Sequence, residues 1–152
     1  MSLSLQRRQI LGLGVGLVAA ACGGVSHPAR AAKNDAEDLI KKFTGGKVAT
    51  EGRVHLDLPE IAENGNTVPM TVSVESPMTE ESYVSDVLVV ADGNPRGGIA
   101  SFHFTPASGA AEANTRIRLA ETQNVIVIAK MNDGSFFTTS KPVKVTIGGC
   151  GG

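Results

Sequence analysis

The sequence predicts an all-β protein, an immunoglobulin-like antiparallel β-sandwich with a short N-terminal helix and a flexible C-terminal glycine arm. Three observations carry this expectation. From residue 54 to residue 147, roughly seven or eight short apolar runs, several with strict alternation, are each closed by Gly, Asn, Asp or Pro, which is the period and punctuation of strands and turns. Aromatic residues make up only 4% of the 152 and Trp is absent, so Val, Ile and Leu must build the core. A single stretch, ahead of Gly45-Gly46, carries the charge order of a helix.

That helix is predicted over Asp35 to Phe43. Asn34 or Asp35 can cap it, Glu37 and Asp38 fall in the first turn, and Lys41 and Lys42 fall in the last. This polarity complements the helix dipole. Leu39, Ile40 and Phe43 form its apolar stripe, and Gly45-Gly46 stops it. Strands follow. Val54, Leu56 and Leu58 alternate with His55 and Asp57, and Val68, Met70, Val72 and Val74 alternate in the next run. Tyr83 to Ala91 is an apolar stretch ending in the turn Asp92-Gly93-Asn94-Pro95. Phe102 and Phe104 flank His103, and Ile117 and Leu119 alternate with Arg116 and Arg118. Asn124 to Met131 is closed by Asn132-Asp133-Gly134, and Phe136-Phe137 with Val143, Val145 and Ile147 complete the set. Alternation predicts Phe102 and Phe104 inward with His103 outward. It also sends Phe136 and Phe137 to opposite faces, so that one is expected outside, available to a partner.

Residues 1–31 read as a signal peptide. Arg7 and Arg8 precede an apolar run from Ile10 to Ala21, and Ala29-Arg30-Ala31 is a small-x-small cleavage site. The run is about a dozen residues against the ~20 of a membrane span, so no permanent anchor is expected. The adjacent arginines in Leu5-Gln6-Arg7-Arg8-Gln9-Ile10-Leu11 resemble a twin-arginine signal, the alternative being a Sec signal with two chance arginines. Export by the twin-arginine route to the periplasm is therefore the expectation. Ala19-Ala20-Ala21-Cys22 loosely resembles a lipoprotein box but has Ala where a large aliphatic residue belongs, and removal of Cys22 with the leader is the preferred reading.

Without Arg7, Arg8 and Arg30, the 14 basic residues fall to 11 against 15 acids, a charge of about −4. With no basic cluster, nucleic acid is excluded as a partner. His55 and His103 lack the spaced third partner of a metal site. Asp57 and Glu60 flank a Pro turn. Asp92-Gly93-Asn94 and Asn132-Asp133-Gly134 are turn chemistry, not calcium loops. No nucleophile-elbow motif is present. Neither catalysis by the chain itself nor a cofactor is expected.

The C-terminus stands apart: Ile147-Gly148-Gly149-Cys150-Gly151-Gly152. Once the leader is gone, Cys150 is the remaining cysteine, so it has no internal disulfide mate, and an unpaired thiol in an exported protein points to pairing with another molecule or to reactivity. The four glycines Gly148, Gly149, Gly151 and Gly152 make the segment slim and flexible. Residues 32–147 would form the domain and 148–152 a swinging arm whose steps from Ile147 to Cys150 reach ~10 Å. Nothing on the arm activates the sulfur, and a free thiol of pKa ~8.5 is only a few per cent thiolate at neutral pH. Such a sulfur is built to be acted on inside other enzymes, as tethered carrier thiols are.

These residues resemble the SoxY family, the sulfur-carrying subunits of periplasmic thiosulfate oxidation. The likeness runs through the leader, Glu37-Asp38-Leu39-Ile40-Lys41-Lys42, and Leu56 to Gly65. It continues through Phe102-His103-Phe104-Thr105-Pro106, Thr115 to Leu119 and Asp133-Gly134-Ser135-Phe136, to the terminal Gly-Gly-Cys-Gly-Gly. The resemblance implies an immunoglobulin-like sandwich that pairs with the smaller subunit SoxZ. It implies thiosulfate loading of Cys150 by the haem enzyme SoxAX to a cysteine S-thiosulfonate, sulfate release by SoxB to leave a persulfide, and further oxidation by a sulfane dehydrogenase where one is present. Two alternatives are a periplasmic binding module of the same fold with an inert tail, and a thiol oxidoreductase. The latter needs a Cys-x-x-Cys pair or an activating base, which the sequence lacks.

Overall fold

A computed structural model describes residues 34–149. The predicted leader, Cys22, Cys150, Gly151 and Gly152 lie outside the described residues. Helix α1 spans Ala36–Thr44 and the strands are β1 Thr50–Glu51, β2 Val54–Asp57, β3 Ile61–Asn64, β4 Val68–Val74, β5 Val84–Ala91, β6 Gly98–His103, β7 Ala111–Ile117, β8 Gln123–Met131 and β9 Phe136–Ile147. A 3₁₀ turn, Pro106–Ser108, links β6 to β7. The larger sheet runs β1-β9-β8-β5-β6 with β3 also on β9, and the smaller runs β2-β4-β7. Two sheets face to face over a Val-rich core are the sandwich the alternation predicts. Among the described residues no helix is long and apolar enough to cross a membrane.

Two pairings depart from the antiparallel expectation. β1 and β3 both run parallel to β9, Thr50 facing Phe137 and Ile61 facing Lys144. Between them the chain crosses to the other sheet, where Val54 to Asp57 pair with Val74 to Thr71. The crossing bends at Gly52 and Arg53, both at positive φ, and the Arg53 guanidinium lies 4.7 Å from the Phe137 ring centroid. These two short edge strands carry no alternation long enough to read. Pro142 falls inside β9 at this gap. The Lys144 N–H points outward to the Glu60 carbonyl, so the Pro142 nitrogen two residues earlier faces the same side, where no strand needs a donor.

Helix α1 packs on the outer face of the larger sheet. Ala36, Leu39, Ile40 and Phe43 cover Leu88, Val90, Ile128 and Phe136, and the Phe43 and Phe136 rings meet edge to face at 5.9 Å. This explains why β5 and β8 read as apolar runs and not as alternation: sandwich core lies on one face and helix on the other. It also corrects the expectation for Phe136 and Phe137. They do point to opposite faces, but Phe136 is buried beneath the helix and Phe137 packs half-buried on the sandwich core, so neither stands out on the surface.

The helix ends are fastened differently from the simplest capping. Asp35 makes no cap bond; the Asn34 Oδ1 accepts the Ala36 N–H at 3.2 Å. Asp35 accepts the Gly97 N–H at 2.6 Å instead, and Asn34 donates to the carbonyls of Ala91 and Asn94 at 2.7 and 2.9 Å. The helix start is thereby lashed to the β5–β6 turn. At the other end Gly45 sits at φ 63°, and the Gly46 N–H returns to the Lys41 carbonyl at 3.1 Å.

Phe102 and Phe104 are half-buried on the core and His103 faces out, as alternation predicts. His103 meets Asp86 at 2.6 Å. Burial raises the Asp86 carboxyl, but hydrogen bonds from Ser85 and His103 and the positive charges of His103 and Lys130 outweigh it. The group is held below its ordinary range.

Candidate functional site

The end of the sandwich that precedes Cys150 is built from backbone. The β3–β4 turn, the β7–β8 loop and the end of β9 converge there. The Gly65 N–H donates to the Ile147 carbonyl at 2.8 Å, the Leu119 N–H donates to the Gly65 carbonyl at 2.8 Å, and the Gly149 N–H donates to the Leu119 carbonyl at 2.9 Å. Three segments distant in sequence thus close a small hydrogen-bonded knot, beneath which the Leu119 side chain is wholly buried.

Glycine is a steric requirement at three positions in this knot. A Cβ on Gly65 would overlap the Leu119 carbonyl oxygen and lie 2.8 Å from the Gly149 nitrogen. On Gly148 it would overlap the Ala120 carbonyl oxygen, and on Gly149 it would stand 2.7 Å from the Gly65 oxygen. In each case backbone, which cannot swing aside, occupies the space. Gly149 is buried. Of the swinging arm expected over residues 148–152, Gly148 and Gly149 fall within the described residues. Ile147 is 65% exposed, whereas Gly148 and Gly149 are seated on the domain.

Asn94 holds the loop that holds Gly149. It is 2% exposed. Its Nδ2 donates to the Arg118 carbonyl at 2.9 Å, and its Oδ1 accepts the Ala120 N–H at 2.9 Å and the Gln123 Nε2 at 2.8 Å. Gln123 in turn accepts the Gly93 N–H at 2.8 Å and donates to the Glu121 carbonyl at 3.0 Å. What the sequence offers as a simple turn, Asp92-Gly93-Asn94-Pro95, is therefore a buried polar clamp. Composition carries no sign of it, because Asn in a turn is ordinarily solvated. Asn94→Ala strands the Arg118 carbonyl and the Ala120 N–H and takes one partner from the Gln123 amide. We expect a loss of about 2–3 kcal/mol from unsatisfied buried groups, read by urea denaturation, with faster hydrogen exchange at Ala120 and Gly149.

Of the residues singled out from sequence, Gly148 and Gly149 fall within this knot, and Cys150 follows Gly149 directly, outside the described residues. His55 and His103 do not join it. Each is exposed and paired with a carboxylate, Glu75 and Asp86 respectively, at 2.6 Å. Among the described residues no three His, Cys, Asp or Glu side chains gather to hold a metal ion. Gly65 and Asn94 are the residues that sequence reasoning missed. The Asn64-Gly65 pair marks a turn, but only the fold shows that Gly65 faces Gly149.

The site and its scaffold match known proteins. The family model for the sulfur oxidation protein SoxY matches residues 40–150, from within α1 to Cys150. Among solved structures, the sulfur carrier protein SoxY from Chlorobium limicola f thiosulfatophilum is similar at 29% identity, covering 71% of this chain and 89% of that one, with a TM-score of 0.61. A superoxide reductase (neelaredoxin) from Ignicoccus hospitalis is 15% identical over 62% of this chain and 80% of that one, TM-score 0.56. The superoxide reductase from Nanoarchaeum equitans is 14% identical over 64% and 100%, TM-score 0.54. At those identities the likeness to the reductases is one of fold alone. No curated protein sequence matches the chain. The family model spans well over half of the sequence and ends on the cysteine itself, and on that match the chain belongs to the SoxY family of sulfur oxidation proteins.

Proposed function

We propose that the thiol of Cys150 is where this sulfur carrier of the Sox system holds thiosulfate and its products. The chain presents them to partner enzymes, SoxAX, SoxB and, where present, a sulfane dehydrogenase, as a complex with SoxZ. The observation that supports this most is the family match, which extends to Cys150 directly beyond a glycine root seated on the domain. In loading, the Cys150 S–H bond breaks and an S–S bond forms to the outer sulfur of thiosulfate. One proton and two electrons leave, the electrons going to the haem of the loading enzyme, and the product is the cysteine S-thiosulfonate anion. In hydrolysis, water attacks the sulfonate sulfur and the S–S bond to it breaks. Sulfate and a proton depart, leaving a persulfide on Cys150. The chain itself contributes the thiol and its presentation, and the partner enzymes contribute the redox and hydrolytic groups.

Intact mass tests the reading. Protein isolated from thiosulfate-grown cells should carry the increments of one thiosulfate and of one sulfur atom, both located on the peptide containing Cys150. Unmodified protein throughout would overturn it.

The export reading is likewise a proposal, supported by Arg7 and Arg8 ahead of the apolar run. Arg7→Lys with Arg8→Lys should leave precursor in the cytoplasm and deplete the periplasmic form. Undiminished periplasmic protein would show the Sec route instead. Passage in the folded state would also let a SoxZ-like partner without its own leader travel as cargo.

A further inference from the structure

We infer that the open edge of β6 is a docking site for an extended segment of a partner protein, which joins the larger sheet as a further strand and alternates acidic with apolar side chains. β6 is the terminal strand of that sheet, paired with β5 alone. The register fixes which of its backbone groups are free. The Phe104 N–H donates to the Ser85 carbonyl at 2.9 Å, and Phe102, two residues earlier, faces Val87, so these residues turn their backbone groups toward β5. Ser101 and His103 occupy the intervening pairs, opposite Leu88 and Asp86, where an antiparallel ladder turns N–H and C=O outward. Two donors and two acceptors therefore stand along the edge, the template that strand addition uses. The usual guards of a sheet edge are missing, since Gly98 to His103 contains neither Pro nor Lys.

Two clefts, one on each side of this edge, fix the chemistry of the incoming side chains. On the outer face, α1 and strands β5, β6 and β8 enclose a groove of about 470 Å³ whose apolar lining includes Leu39, Phe43 and Leu88. Lys42, Lys130 and His103 also line it, against one carboxylate, Asp86. That carboxylate is already engaged by the Ser85 hydroxyl at 2.8 Å and the His103 ring at 2.6 Å, and Lys130 acts on it only at longer range. Neither lysine has an ion-pair partner among the described residues. In a chain with more acids than bases, this local positive charge selects acidic side chains on the outer face of the added strand. On the other side, β6 faces β7 across a cleft of about 320 Å³ lined by Ile99, Ala100, Thr115 and Ile117, with the exposed Arg116 and Arg118 completing it. Alternate side chains of the same strand turn this way, and apolar ones suit those walls. A second copy of this chain fits poorly. Its own β6 carries no acid, and pairing β6 with β6 sets one cationic groove against another.

The test titrates the full processed chain with a blocked eight-residue peptide alternating glutamate and valine, followed by amide chemical shifts and hydrogen exchange. Saturation should slow exchange at the Ser101 and His103 amides by about ten-fold or more. Ser101→Pro removes an outward donor that β5 does not use, so the fold should hold while Kd rises about ten-fold or more. Lys42→Glu with Lys130→Gln should weaken binding as much, which decides the matter independently of any effect of Pro on stability. Lys144→Glu, on β9 at the opposite edge, should leave Kd within about two-fold. No binding, or protection elsewhere on the chain, overturns the inference. So does equal binding of a lysine–valine peptide, which removes the charge selection. The same shifts produced by inorganic sulfate would reduce the groove to an anion site, and protection of Ser101 and His103 on concentrating the chain alone would make the occupant a second copy; either result overturns the partner strand.

Discussion

Cys150→Ser is expected to abolish thiosulfate-dependent modification of the chain while leaving its fold intact. Serine keeps the size and polarity of the side chain, but its hydroxyl does not ionise near neutral pH and forms no stable bond to sulfur. Cys150 directly follows Gly149 in the sequence. Urea denaturation should place the variant within about 0.5 kcal/mol of the wild type, the range of surface changes. Sulfate release from thiosulfate by the reconstituted enzymes should fall to the level seen without the carrier. Normal turnover by Cys150→Ser would return the chain to the rival reading, a binding module with an inert tail.

Gly149→Val should instead damage both the domain and the chemistry. A glycine run beyond the last strand suggests that this change is harmless to folding. The knot of Gly65, Leu119 and Gly149 gives the opposite expectation, because the first carbon of the new side chain would stand 2.7 Å from the Gly65 carbonyl oxygen. Backbone must shift and the Gly149–Leu119 bond must lengthen or break. Overpacking of this kind costs about 1–3 kcal/mol, and the stiff β-branched side chain has few rotamers with which to evade it. Gly65→Val, which collides with the Leu119 carbonyl from the other side, should cost at least as much. Denaturation midpoints and hydrogen exchange at Leu119 and Gly149 measure the effect. A Gly149→Val protein as stable as the wild type would show that the knot opens freely. In that case the reach of the sulfur would be that of a longer arm.

Much of the sandwich is legible in the sequence because one face of most strands is buried and the other wet. Val68 to Val74 shows this strictly, and so does Phe102-His103-Phe104. Helix α1 is legible from its charges and from Gly45-Gly46. What resists reading is what depends on distant pairing. β1 and β3 are too short to show a period and exist only because β9 offers them an edge. The outer cover over Phe136 requires knowing where the helix lands. Cys150 stands out as chemistry because packing and turn formation call for no thiol among glycines. The role of its flanking glycines divides in space: Gly148 and Gly149 are small because carbonyl oxygens of other loops sit against them, a fact about neighbours that no local pattern records.

The broken edge of the larger sheet has a consequence for solubility. An uninterrupted outer edge on β9, twelve residues long, would be a template for a strand from another molecule. Here the edge is divided. Two residues of β1 and four of β3 occupy its ends, and the stretch between them contains Pro142, which offers no donor. Lys141, beside the gap, is drawn in to the Leu58 carbonyl at 2.7 Å, placing a charge where an invading strand would have to lie. At high concentration this chain should resist cross-β aggregation along that edge, and Pro142→Val with Lys141→Val should make it the first edge to fail.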